Sequence, residues 1–232
     1  MFDSLVRKYE AGDDPGCVSS GSGDLGGVSY GIYQLSSTRG SADEFVEWAS
    51  HNENPTYAMY GAELSQYSAY TQEFQNVWRR IGNDDPDGFA ELQGLYAKEK
   101  YYDPAARLLK DTGYDIETKS NAMKSVLFSR AIQYGAGNMV ELYTEAVRCM
   151  YNNQTKDYSG WPNLSYVDDK QFDYDMIDAI YDFLIQECDN AEYNGSCMHS
   201  PKDWCNGSSE VIYGLRNRFV HEKEDALKLL QE

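Results

Sequence analysis

The residues with the clearest chemical potential are two acids near the start of the chain, Glu10 and Asp24. Glu10 closes an apolar stretch in which Phe2, Leu5, Val6 and Tyr9 recur at helical spacing. A carboxyl held against buried aromatics has a raised pKa, because desolvation disfavours its ionised form, so it can still donate a proton near neutral pH. Asp24 lies among glycines, in Gly23-Asp24-Leu25-Gly26-Gly27, a wetter setting lined by backbone amides in which it stays ionised. Two carboxyl groups with separated pKa values across a cleft meet the requirement of glycoside hydrolysis, with Glu10 as acid and Asp24 as base or charge stabiliser. The plain alternative is that Glu10 caps a surface and Asp24 occupies a turn.

Other reactive groups form weaker constellations. Cys17 has no neighbouring His or helix start to activate it, and His51, His199 and His221 suggest no triad. Cys188, Cys197 and Cys205 cluster with His199, but their spacing fits no zinc knuckle, and a disulfide or free thiols is the expectation there. Asn83, Asp85, Asp87 and Gly88 imitate the opening of a calcium loop, yet its twelfth position is Gly94, where a bidentate Glu is needed. A helix start with Asp87 as N-cap is preferred. No metal and no cofactor is expected.

The elements that must position these groups are nearly all helices. Helical periodicity covers 2–9, starts again at Ser41, holds from about 57 to 110 with breaks at 83–88 and 103–104, and returns at 121–134 and from Asn138 to about Met150. Ser41 with Glu44, and Asn138 with Glu141, carry the capping-box pattern. The stretch 12–31, rich in Gly and Ser, reads as a loop or short hairpin. A polar segment over 152–171 precedes an amphipathic run from Tyr174 to Cys188, 190–208 reads as a loop, and one or two helices close the chain. With no repeat and no linker, the chain reads as a single domain over 1–232, mainly α.

Composition excludes several partners. Of 232 residues, 20 are Lys or Arg and 38 are Asp or Glu, giving a net charge of −18. Such a chain repels phosphate backbones and anionic lipid, so neither nucleic acid nor a membrane is expected as partner. No apolar run reaches the roughly 20 residues of a membrane helix, and the opening stretch lacks the apolar core of a signal peptide. The aromatic residues are dominated by 20 Tyr against 8 Phe, a bias suited to sugar clefts and wet interfaces.

The stretch from Glu10 to Gln34 resembles a known pattern. Gly23-Asp24-Leu25-Gly26 followed by Ser29-Tyr30-Gly31-Ile32-Tyr33-Gln34 looks like the active-site hairpin of goose-type lysozymes, and is similar to the corresponding element of soluble lytic transglycosylases. The nearest likeness is to phage-type and secretion-associated murein hydrolase domains with a Gly-Gly-x-Ser-Tyr-Gly-x-Tyr-Gln core. The resemblance implies a lysozyme-like, mainly α domain with a short glycine-rich β-hairpin in the active site. It implies a muramidase that cleaves β-1,4 bonds of bacterial peptidoglycan, with Glu10 and Asp24 catalytic and Ser29, Tyr30 and Gln34 on the sugar. Gln133 and Tyr134, expected exposed at the end of a helix beside Gly135, would line the far wall; helix packing with a glycine C-cap is the alternative. The pattern departs at Ser36, where goose-type enzymes carry a second Asp, and this keeps a lytic transglycosylase open. A chitosanase- or chitinase-like glycosidase, and a non-catalytic wall-binding or phage structural module, are the remaining alternatives. The expected place of action is the bacterial cell wall, reached by phage lysis, by secretion machinery, or as part of a larger chain with a fused or separate wall-binding or delivery module.

Overall fold

Short polar side chains at helix starts decide many of the boundaries in this computed structural model, which describes residues 3–9, 12–19, 27–151, 163–194 and 208–231. The first backbone N–H groups of a helix have no partner within it, and a preceding Asn, Thr, Asp or Ser supplies one. Asn54 Oδ1 accepts from Thr56 N at 3.0 Å to start α3, and Thr71 Oγ1 accepts from Phe74 N at 3.2 Å to start α4. Asp85 Oδ1 accepts from Gly88 N at 3.1 Å to start α5, and Ser120 Oγ accepts from Met123 N at 3.2 Å to start α7. The described elements are α1 (Ser4–Tyr9), β1 (Ser29–Tyr30), β2 (Leu35–Ser36), α2 (Ser41–Ser50), α3 (Pro55–Leu64), α4 (Gln72–Asp84) and α5 (Pro86–Ala97), followed by α6 (Asp103–Asp111), α7 (Asn121–Tyr134), α8 (Met139–Met150), α9 (Asp173–Asn194) and α10 (Ser209–Leu229). The chain is therefore mainly α with one short antiparallel strand pair, as its periodicity predicts. Among the described residues no helix is long and apolar enough to cross a membrane.

Three caps differ from expectation. α2 starts from Gly40, at φ 79°, with no side-chain cap. Ser41 instead accepts from Ser36 N at 2.7 Å, satisfying a donor at the end of β2. The cap of α5 is Asp85 rather than Asp87, because Pro86 takes the first helical position, where its missing N–H costs nothing. Asn138 does not cap α8; its amide donates to the carbonyl of Tyr134 and closes the end of α7.

The chain packs as two units, Val6–Lys100 and Met1–Leu5 with Tyr101–Glu232. In the first, α2 packs on α3 and α5, and α4 packs on α3 and α5. The α2–α3 crossing is close. A Cβ on Gly61 would stand 2.6 Å from the Ala49 carbonyl carbon, so only glycine fits there. An aromatic core of Tyr30, Phe45, Phe74, Trp78 and Phe89 fills the unit, each 0% exposed. The strand pair is anchored to this core by Gln93, which is also 0% exposed. Its Oε1 accepts from Ile32 N at 2.8 Å and its Nε2 donates to Pro15 O at 2.9 Å. Trp78 Nε1 donates to the same carbonyl at 2.9 Å. One amide thus joins α5 to two loops, and it gives the buried Ile32 N–H its partner.

The second unit packs α9 against α8 and α10, and α10 against α7. At its centre lies a buried charge pair. Arg130 on α7 and Glu222 on α10 are both 0% exposed, with Nη2 and Oε2 at 2.6 Å. Ser129 donates to the other carboxylate oxygen, and Gln133 accepts from Arg130 Nη1. The guanidinium faces the rings of Phe219, Tyr181 and Tyr134 at 5.2, 5.7 and 5.8 Å. These contacts offset the cost of taking two ions out of water. The segment before α9 is stitched down by Lys119, whose Nζ lies 2.7 Å from Asp168 Oδ1, and by Asp173, which accepts from Ser120 N at 2.7 Å.

Two outcomes test these anchors. Glu222→Gln removes the carboxylate charge that pairs with Arg130, and denaturant titration should show a loss of about 3–5 kcal/mol, whereas Arg130→Met with Glu222→Leu should lie much closer to wild type. Gln93→Leu orphans Ile32 N–H while Pro15 O keeps its bond from Trp78. The expected cost is about 1–3 kcal/mol, with hydrogen exchange at the Ile32 amide accelerated beyond that of its neighbours.

Candidate functional site

The described part of the motif, Ser29 to Gln34, forms the first strand of the pair and its turn. Ser29 pairs with Ser36 and Tyr30 with Leu35, and Tyr30 also bridges to Val18. The paired strands thus fall at the end of the glycine-rich stretch and beyond it. Gly31 closes the turn at φ 66°, and a Cβ there would stand 2.8 Å from Gln93 Cδ and 2.9 Å from Trp78 Cζ2. Both the backbone angle and the space therefore demand glycine.

Each side chain singled out from the sequence has a definite place, except that Glu10 and Asp24 lie outside the described residues. So do Cys197, His199 and Cys205. Tyr30 is buried, its phenol donating to Ala69 O at 2.6 Å and its ring edge-on to Phe74 at 5.0 Å. Burial pushes its pKa up to about 12. Ser29 is buried beside it, its N–H bonded to Ser19 Oγ at 2.8 Å. Gln34 is exposed, in the left-handed region at φ 51°, and its side chain donates back to Gly31 O at 3.1 Å. These three belong to the first unit, and Gln133 and Tyr134 to the second. Gln133 is half-buried and held by Arg130. Tyr134, expected exposed, is only 1% exposed. The reason is that α7 is enclosed on several faces, and its last turn packs against the Arg130 cluster. Burial raises the Tyr134 phenol above its ordinary range, and Gly135 follows it at φ 84° as the helix C-cap.

Four tyrosines of the 57–70 stretch, Tyr57, Tyr60, Tyr67 and Tyr70, divide between core and rim. Tyr57 and Tyr60 donate to Glu91 at 3.0 Å and Asp85 at 2.7 Å, whereas Tyr67 and Tyr70 are exposed. Ion pairs fix the last helix, with Arg216 on Asp189 at 2.6 Å and Arg218 reaching Glu222 at 3.4 Å. Among the described residues no group of His, Cys, Asp or Glu is arranged to hold a metal ion.

A groove that sequence reasoning missed opens on the first unit between α2 and the end of α5, with a volume of about 330 Å³. Trp48 and Tyr96 form its aromatic surface, with ring centroids 5.4 Å apart. Beyond Ala97 the helix widens into a π turn, Lys98–Tyr102, which carries Glu99 and Lys100 to the groove. Glu99 Oε2 accepts from Trp48 Nε1 at 3.0 Å. Glu44 accepts from Tyr96 at 3.4 Å and pairs with Lys100. Glu47 and His51 complete the wall, with His51 Nδ1 2.8 Å from the Glu47 carbonyl. The Glu47 carboxylate makes no hydrogen bond or ion pair among the described residues. The only local signal was Trp48 among acids on an amphipathic helix, which gives no hint of residues 51 positions away.

Comparison with known proteins identifies the chain's relatives. The model of the family described as type VI secretion system spike protein VgrG3-like, C-terminal, matches residues 3–223. A relative, the type VI secretion system spike protein VgrG3 of Vibrio cholerae serotype O1, is 33% identical over 130 residues. That alignment takes in 56% of this chain and 12% of the relative, so the chain corresponds to a small part of that protein. Neither description carries a glycosidase. The expectation of a lysozyme-like murein hydrolase, with its muramidase, endolysin and wall-degrading character, is corrected by this finding. The likeness behind it spans a short hairpin motif, of which Tyr30 is accounted for by core packing and Gly31 by turn geometry, whereas the family match spans nearly the whole sequence. On that span, the chain belongs to the family of type VI secretion system spike protein VgrG3-like C-terminal domains.

Proposed function

We propose that this chain serves as the C-terminal module of a type VI secretion spike protein, delivered by that machinery and working by binding rather than by cleaving a glycan. The observation that carries this reading is the family match over residues 3–223. The relative in Vibrio cholerae is itself a spike protein, of which this chain covers a small share, and a module joined to a larger spike fits that proportion. The local chemistry supports the same reading. Tyr30 and Tyr134, the aromatics best placed in sequence to hold a sugar, spend their rings on packing. The open aromatic surface lies instead in the groove at Trp48, among carboxylates. At −18 the chain also meets repulsion from phosphate- and carboxylate-bearing surfaces over about 10 Å at 0.1 M salt, which disfavours a wall polymer as its main partner.

Two measurements test the proposal. A tagged copy expressed in its native host should reach the medium when the type VI apparatus is intact and stay in the cells when the apparatus is disrupted. Export that ignores the apparatus would remove the delivery part of the reading. In the second measurement, wild type and Glu10→Gln should release equally little sugar from purified peptidoglycan. Release by wild type that the variant loses by the 10²-fold or more typical of a missing general acid would overturn the binding role.

A further inference from the structure

The groove between α2 and the π turn has a composition that selects its occupant. Trp48 and Tyr96 supply an aromatic surface, and Glu44, Glu47 and Glu99 supply three carboxylates against one ammonium, that of Lys100. Lys100 is committed to Glu44. Glu99 keeps a second oxygen beyond the one that accepts from Trp48, and Glu47 has no partner among the described residues. The groove therefore holds carboxylate capacity unmatched by its own cations, beside an indole that is only half-buried. A cation beside an aromatic face is attracted by the ring quadrupole, and a guanidinium adds bidentate hydrogen bonds to carboxylates. The volume of about 330 Å³ lies at the low end of the roughly 300–1,000 Å³ usual for ligand sites. That is room for one side chain and its flanking backbone.

We infer that this groove receives a basic side chain, an arginine or lysine, presented by an exposed segment of a partner protein, with Trp48 as the aromatic contact and Glu47 and Glu99 as the charge partners. The net charge of −18 reinforces the selection, since it draws basic surfaces toward the chain at long range before the local contacts form. The inference is independent of what carries the module, because every residue it uses lies within the first unit.

The test follows the Trp48 indole N–H by NMR in the ¹⁵N-labelled chain, its signal assigned by its disappearance in Trp48→Phe. The probes are acetyl-glycyl-arginyl-glycine amide, its glutamyl counterpart, and a neutral methyl glycoside. The arginyl peptide should shift the signal saturably, and the other two should not. Glu47→Gln with Glu99→Gln replaces exposed carboxylates by amides of the same shape, so the fold should survive. That double variant should weaken the arginyl peptide by roughly tenfold or more, the loss expected when the charge partners of a cation are removed. Three results would overturn the inference: no shift with the arginyl peptide, an equal shift with the glycoside, or undiminished binding by the double variant.

Discussion

The buried amide of Gln93 is the constraint on which the first unit depends. Two loops, one at Pro15 and one at Ile32, bring backbone polar groups into an aromatic core that has few partners for them. A side-chain amide, which carries both a donor group and an acceptor oxygen and is fixed on a helix, meets both needs at once. Much else follows from that placement. Gly31 must lack a Cβ because the Gln93 amide and Trp78 occupy the space. Tyr30 turns inward, its ring edge-on to Phe74 and tilted against Trp78. The same α5 that carries Gln93 on its buried side extends into the π turn bearing Glu99, so one helix both anchors the hairpin and supplies a wall of the groove.

Much of the fold was legible from residue spacing. The helical runs at 121–134 and from 139 to about 150 appear at their expected limits, because the period holds through both and Gly135 ends the first. Two of the three misplaced caps have a common cause. Ser41 and Asn138 carry the right chemistry for an N-cap, but each found a nearer unsatisfied group, the Ser36 N–H and the Tyr134 carbonyl. Local sequence does not show which of two competing partners wins.

The candidate site was less legible, for a different reason. A motif such as Ser29-Tyr30-Gly31-Ile32-Tyr33-Gln34 specifies a tight strand pair with aromatic packing, and that geometry serves a core as well as a cleft. Residue type alone does not tell a Tyr that stacks on a ligand from one that donates to Ala69 O from inside. The groove was invisible because it joins Trp48 to Glu99 across 51 positions, with an intervening widening of the helix that no period predicts.

The charge pair at the centre of the second unit bears on how that unit comes apart. Arg130 on α7 is faced by Tyr181 on α9 and by Phe219 and Glu222 on α10. Peeling away α10 alone would strand a guanidinium in an apolar setting, and the several kcal/mol this costs would be met before any chain entropy is recovered. Fraying of a single helix is thereby penalised more than loss of all three together, once water reaches both ions. The second unit is thus built to yield all at once, with a sharp transition and few half-open states exposing its apolar interior to proteases or to other chains.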